Sequence, residues 1–306
     1  MATRDVRIGC EFVYDAEVAT STIFQVTPLG TDGVAISGEE WSIKPELDSH
    51  EYRDLYGNRC QRMVLPQGRC EIRYSAIARV PDATEDADES APELPPHELP
   101  DDVIVYTMPS RFCLPDMLGT EAWTRFSHLP TGYSRVQAIC QHVNGHLKFA
   151  YGSSSPTSTA VDVNLSGFGV CRDFTHLAIT FCRAMNIPAR YVFGYLPDMD
   201  VPFDPAPMDF AAWMEVWLGD RWWTFDPRNN RRRKGRILIG RGRDASDVAM
   251  VTSFGGPTLQ TMLVVAEEIV AWEIGPMEIG PKEFGPKEFG TEEIGPKEFG
   301  AGEIVG

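Results

Sequence analysis

The chain has 306 residues, 43% of them hydrophobic, and a formal net charge of −16. That length leaves room for two domains, and the composition is that of a globular protein with ample core material. No apolar run is long enough to span a bilayer and "MATRDVRIGC" has no apolar signal core, so no membrane span is expected and the expected location is cytoplasmic.

The charge is concentrated. Residues 81–102 hold nine acids and no base, and residues 267–306 hold ten acids and three lysines, so −9 and −7 account for the whole −16. The remainder is neutral, and a nucleic-acid partner, which needs positive surface, is not expected. Seven cysteines with no CxxC pair argue against a disulfide framework or a zinc knuckle. No metal or organic cofactor is expected.

In chain order, residues 1–80 read as a β-rich N-terminal domain. "RIGCEFVYDAEV", "STIFQVTPL", "GVAISGEEWSI", "RCQRMVLP" and "CEIRYSAIARV" are short β-branched or aromatic runs between turn residues, most simply a β-sandwich. Residues 81–102, acidic and proline-rich, read as a linker or exposed loop. Residues 103–270 read as the core domain. Helices are expected near 115–126 and 132–149, and a polar loop over 152–166. In "GVCRDFTHLAITFCRAMNIPARYVFGYLP" an apolar stripe of Phe174, Leu177, Ala178, Phe181, Cys182 and Met185 predicts a helix. Proline in "NIP" ends it, and "ARYVFGYL" reads as a strand. "AWMEVWL" and "RWWTFDP" form a hairpin around "GD". A basic loop, "RRRKGR", and a strand, "QTMLVVAEEIV", follow. From Glu273 the tail, 271–306, is a degenerate pentapeptide array such as EFGPK, read as disordered low complexity.

Cys171 opens the predicted helix. Unpaired N–H groups and the helix dipole favour a thiolate there, and such placement can lower a thiol from roughly 8.5 to about 3.5–7.5. Cys182 lies on the apolar stripe and should be inert. Pairing the hairpin strands around Gly219-Asp220 sets Trp213 opposite Asp226 and puts residue 211 diagonally beside Asp226 on the same face. A histidine at 211 could aim one ring nitrogen at Asp226 and the other at a thiol, which is the logic of nucleophilic catalysis. Residue 211 is alanine. None of the six histidines follows His176, which lies roughly 140° around the helix from Cys171 and reads as an anchor. His142 and His146 have a zinc half-site spacing without a third ligand.

"GVCRDFTHLAITFCRAMNIPARYVFGYL", "MDFAAWMEVWLGDRWWTFDPRNN" and "GRDASDVAM" together resemble bacterial transglutaminase-like proteins. The resemblance covers most of residues 6–270. It implies an α+β fold in which a β-rich N-terminal region precedes a papain-like core, a helix bearing cysteine packed on an antiparallel sheet. It also implies a Cys-His-Asp triad, in which Cys171 matches the nucleophile, Asp226 the orienting acid, and Ala211 the position of the histidine base. The loss of a general base typically costs about 10²–10⁴-fold or more, so little turnover is expected.

Trp213 is the candidate substrate-binding residue among the hairpin tryptophans. "RNNRRRKGR" reads as a solvated loop that could face the acidic segments rather than a nucleic acid. Two functions follow: a scaffold for thiol acyl transfer (peptidase, amidase or cross-linking chemistry through a thioester), or a non-catalytic module that holds a peptide or protein. Both take a peptide or protein partner.

Overall fold

The computed structural model describes residues 2–202 and 206–269. The chain is built of three four-stranded antiparallel sheets, a two-stranded parallel pair and four α-helices among those residues. β1 (Thr3–Ala16) and β2 (Thr20–Phe24) open two different sheets. Period-two alternation sends Val6, Ile8, Cys10, Phe12 and Tyr14 inward along β1. β3 (Ala35–Lys44), β4 (Ser49–Arg53), β5 (Arg59–Leu65) and β6 (Gly68–Pro81) follow. β3 and β6 join β1, while β4 and β5 join β2. The two sheets meet through Phe12 and Phe24, whose rings are 5.6 Å apart. This is the sandwich expected for the first eighty residues, with β4 as a polar strand that its sequence, "SHEYR", did not signal.

Residues 81–102 do not form a solvated linker. Ala91 and Leu99 are buried, Gly219 N–H donates to the Pro92 carbonyl at 2.8 Å, and Glu93 accepts from Gly132 N–H at 2.9 Å and from Arg135 at 2.7 Å. Its acids meet the basic loop: Asp82 pairs with Lys234, Asp86 with Arg221 and Glu85 with Arg236. The segment is a strap in which Asp82, Glu85, Asp86 and Glu93 are answered across the fold, so its composition alone misjudged it.

α1 (Pro115–Phe126) starts with proline at its first turn, where no N–H is needed. α2 (Tyr133–His146) and the short strand β7 (Lys148–Phe149) come next. α3 (Ala160–Ser166) falls where a polar loop was expected. Thr159 accepts the Asp162 N–H, Asp162 returns the bond to Thr159 N–H, and Gly167 closes the helix at φ 72°. That T-x-x-D capping signature is legible in the sequence. β8 (Phe168–Gly169) pairs in parallel with β7 and leads into α4 (Cys171–Ala184).

α4 buries Leu177, Ala178, Phe181 and Cys182 completely. It packs on β9 (Ala189–Tyr195) and β10 (Ala211–Leu218) and against the other three helices. Its last turn is fastened by Arg183, a fully buried guanidinium that donates to the carbonyls of Ala189, Met108 and Arg243 at 2.6–3.1 Å. β10 pairs with β11 (Arg221–Phe225) in the register the turn dictated, Met214 against Phe225 and Trp217 against Trp222. β12 (Ile237–Gly242) extends the sheet beyond β9.

The last strands return to the first half. β13 (Val251–Ser253) pairs with β2, and β14 (Thr258–Glu268) pairs with β1 over nearly its whole length. Residues 251–268 therefore belong to the N-terminal sheets and not to a 103–270 core domain. Strand character is local, whereas the partner is chosen by long-range packing. The two halves share one core: the Phe12 and Phe210 rings lie 6.5 Å apart, and the Tyr195 hydroxyl donates to the Val26 carbonyl at 3.1 Å. No helix among the described residues is long and apolar enough to cross a membrane. The pentapeptide tail lies outside the described residues.

Candidate active site

The start of α4 is fixed by a buried acid. Asp173 is fully buried, accepts the Val170 N–H at 2.8 Å, and takes the Ser154 hydroxyl at 3.0 Å and Arg172 at 3.1 Å. Gly169 allows this closure, because a β-carbon there would sit 2.7 Å from the Asp173 β-carbon. Cys171 thus enters the helix in a fixed position, half-buried, while the other six cysteines are buried.

The sulfur lies against the beginning of β10. It donates to the Phe210 carbonyl at 3.8 Å, and the N–H groups of Ala212 and Arg172 point at it. Residue 211 is therefore bracketed on both sides by backbone groups that touch the Cys171 thiol. Burial pushes that thiol up to about 11, and the nearby Asp209 carboxylate adds to the rise. Arg228 and the two N–H groups pull the other way without prevailing. The helix terminus acts in the direction the sequence suggested, but desolvation outweighs it, and the expected lowering does not occur.

Ala211 opens β10 opposite Gly194 of β9. Only glycine fits at 194, since a β-carbon would meet the Ile237 carbonyl at 2.3 Å and the Trp213 ring at 2.6 Å. Cys171 and Ala211 both line a cleft of about 830 Å³, walled by Phe112, Tyr191, Phe193 and Phe210. These aromatic residues were not singled out from the sequence. The alternation in "RYVFGYL", which sends Tyr191 and Phe193 to one face, was the available signal.

Asp226 follows β11 and is buried. Its Oδ1 accepts Asn229 N–H at 2.8 Å, and its Oδ2 accepts the Asn229 amide and Arg236, each at 2.8 Å. Burial alone would raise this carboxyl, but the Arg236 charge and the Asn229 hydrogen bonds more than offset it and hold it below the usual carboxylate range. Asp226 does not line the cleft. It borders a cavity of about 30 Å³ behind the hairpin, which Arg236 and Glu85 also line. Asn229 links the two spaces, lining the cleft and donating to Asp226.

Trp213 is not a wall of the cleft. It is 2% exposed, packs with Val192 and Leu238, and carries the Arg236 guanidinium 4.9 Å above its ring. Side chains of the neighbouring strands, Val192 and Leu238, and Leu29 pack around the ring, so it became core.

No histidine lines the cleft. His176 anchors α4, accepting Ala245 N–H through Nε2 at 3.1 Å and stacking on Phe112 at 5.1 Å. Burial pushes it down to about 3. His142 and His146 stack on each other at 5.6 Å, and His146 contacts the Asn164 carbonyl at 2.8 Å. Among the described residues no three His, Cys, Asp or Glu side chains converge to hold a metal ion.

Comparison with known proteins gives this geometry a context. The model of the transglutaminase-like superfamily matches residues 123–227. An uncharacterized protein of Mycobacterium leprae is 34% identical over 137 residues, 44% of this chain and 49% of that protein. An uncharacterized protein of Mycobacterium tuberculosis is 40% identical over 116 residues, 33% of this chain and 35% of that protein. The chain therefore matches half or less of the length of these curated relatives. The crystal structure of a candidate cysteine protease from Cytophaga hutchinsonii is similar throughout, with a TM-score of 0.79, 28% identity and 94% of each chain covered. The motif-bearing helix and hairpin fall within the matched residues, and the α+β architecture with a papain-like core stands. The similarity to the transglutaminase-like superfamily thus covers residues 123–227, the stretch that holds Cys171, Ala211 and Asp226.

Proposed function

We propose that this protein is a thiol acyl-transfer scaffold in which Cys171 occupies the nucleophile position, Ala211 the position of the base and Asp226 that of the orienting acid, and that as written it turns over little or no substrate. The observation that carries this reading is the contact of the Cys171 sulfur with the backbone on both sides of residue 211. In the full chemistry a thiolate attacks an amide carbonyl, a thioester forms, and the departing amine takes a proton from an imidazole. An alanine methyl can neither take the thiol proton nor return one. A thiol pushed up to about 11 leaves almost no thiolate near neutrality, which fits the missing imidazolium.

The acid side of the site is better preserved. A carboxylate offers about four acceptor positions, and the side-chain contacts of Asp226 use three, two on Oδ2 and one on Oδ1. One position on Oδ1 remains for an imidazole. Similarity to a candidate cysteine protease supports peptide or amide bonds as the substrate class.

The test is to install the base. Ala211→His should raise hydrolysis of a peptide anilide by about 10²–10⁴-fold over the unaltered chain. Adding Cys171→Ser should abolish the gain. A correctly folded Ala211→His protein with no Cys171-dependent turnover would contradict the acyl-transfer reading.

A second reading is favoured by one observation: the cleft persists at about 830 Å³ although its thiol is pushed up. A module that holds a peptide without cleaving it needs only that space. Peptide binding by the unaltered chain, unchanged by Cys171→Ser, combined with an inert Ala211→His variant, would favour it.

A further inference from the structure

We propose that the cleft selects an acidic peptide, with Arg228 as the residue that binds a glutamate or aspartate side chain next to the carbonyl presented to Cys171. This rests on the reading of the cleft as a peptide site and adds its specificity. The chain as a whole carries −16, yet among the described residues the cleft is lined by Arg111, Arg172, Arg228 and Arg233 against Asp198 and Asp209. The balance of these six residues, four positive and two negative, is opposite in sign to the protein.

Two of the four arginines are already committed. Arg172 pairs with Asp173 at 3.1 Å and Arg233 with Asp198 at 2.9 Å. Among the described residues neither Arg111 nor Arg228 closes an ion pair. Arg228 is the better placed of the two. Its guanidinium lies 4.1 Å from the centroid of the Phe149 ring, which also lines the cleft, and its charge acts on the Cys171 sulfur. Its backbone is pinned before any ligand arrives: Asn144 donates to its carbonyl at 2.6 Å, and the following N–H donates to Asp226 at 2.8 Å.

A guanidinium stacked on an aromatic ring keeps its N–H edge available for a carboxylate, and the planar fork matches both oxygens. Little ordering cost remains, because ring and backbone already hold it. The same positive charge would repel a lysine or arginine side chain. The apolar walls at Phe193 and Met208 would cover the flanking residues of the peptide.

The experiment uses the full chain and three pools of N-acetylated, C-amidated hexapeptides, with one position fixed in turn as Glu, Gln or Lys and the rest randomised. Retention is measured at low salt, and the recovered peptides are quantified. The Glu pool should bind about tenfold better than the Gln pool, with the Lys pool weakest, and raising the salt should narrow the gap. Arg228→Gln should reduce the Glu-over-Gln preference to about twofold or less. Equal retention of the Glu and Gln pools would overturn the proposal and leave the peptide-site reading intact. An undiminished preference in Arg228→Gln would overturn the assignment to Arg228. Failure of every pool to bind would remove the peptide-site reading as well.

Discussion

The two sides of residue 211 differ in how firmly they are built. On one side Asp226 is buried, receives three hydrogen bonds and is tied through Arg236 to Glu85 of the strap. On the other side the Cys171 sulfur is half-buried and meets backbone groups alone, the Phe210 carbonyl at 3.8 Å and the N–H groups of Ala212 and Arg172. The acid is part of the architecture, whereas the thiol is a guest at the end of a helix. Alanine at 211 leaves the Asp226 carboxylate with its other partners, Asn229 and Arg236.

The contrast can be broken by truncating each side in turn. Asp226→Ala leaves Arg236 buried with part of its charge unanswered, and such a loss costs about 3–5 kcal/mol. Cys171→Ser should cost about 1 kcal/mol or less, since a hydroxyl can keep the same backbone partners. Urea unfolding of both variants measures the difference. Equal costs would mean that the acid is no more structural than the thiol.

A smaller effect separates the helix anchor from both. His176 is buried and pushed down to about 3, so the folded protein holds it neutral while the unfolded chain binds a proton below about 6.5. The unfolded state therefore carries more protons between these values. Stability from this group is fully present above about pH 6.5 and is lost as the pH falls toward 3, at about 1.4 kcal/mol per pH unit. Asp244, which faces His176 and is held below its usual range, joins the loss at the acid end. His176→Gln keeps an acceptor for Ala245 N–H and should flatten the slope between pH 6 and about 4 in chemical denaturation. An unchanged slope would mean that His176 is not held neutral.

What could be read from the sequence follows the range of the interactions involved. The register of β10 on β11 is set by a two-residue turn, so the pairing of Met214 with Phe225 and of Trp217 with Trp222 was legible. The apolar stripe of α4 was legible for the same reason. The pairing of β14 with β1 was not, because "QTMLVVAEEIV" announces a strand but names no partner. The acidic strap was misjudged because its acids find arginines and a lysine about 135–152 residues away. For the thiol, helix position was visible and burial was not, and burial decided the direction. Trp213 went into the core because Leu238 of β12, a strand not anticipated from "RILIGRG", and Leu29 pack with it.

The central claim is spatial: an imidazole at residue 211 would meet the Cys171 sulfur. The pH dependence of Cys171 alkylation by iodoacetamide, followed by peptide mapping in the unaltered chain and in Ala211→His, tests this most directly. In the unaltered chain labelling should rise only toward a pKa of about 11. In Ala211→His an ion pair with imidazolium should bring that titration down to below about 8. Superimposable profiles in two folded proteins would contradict the account.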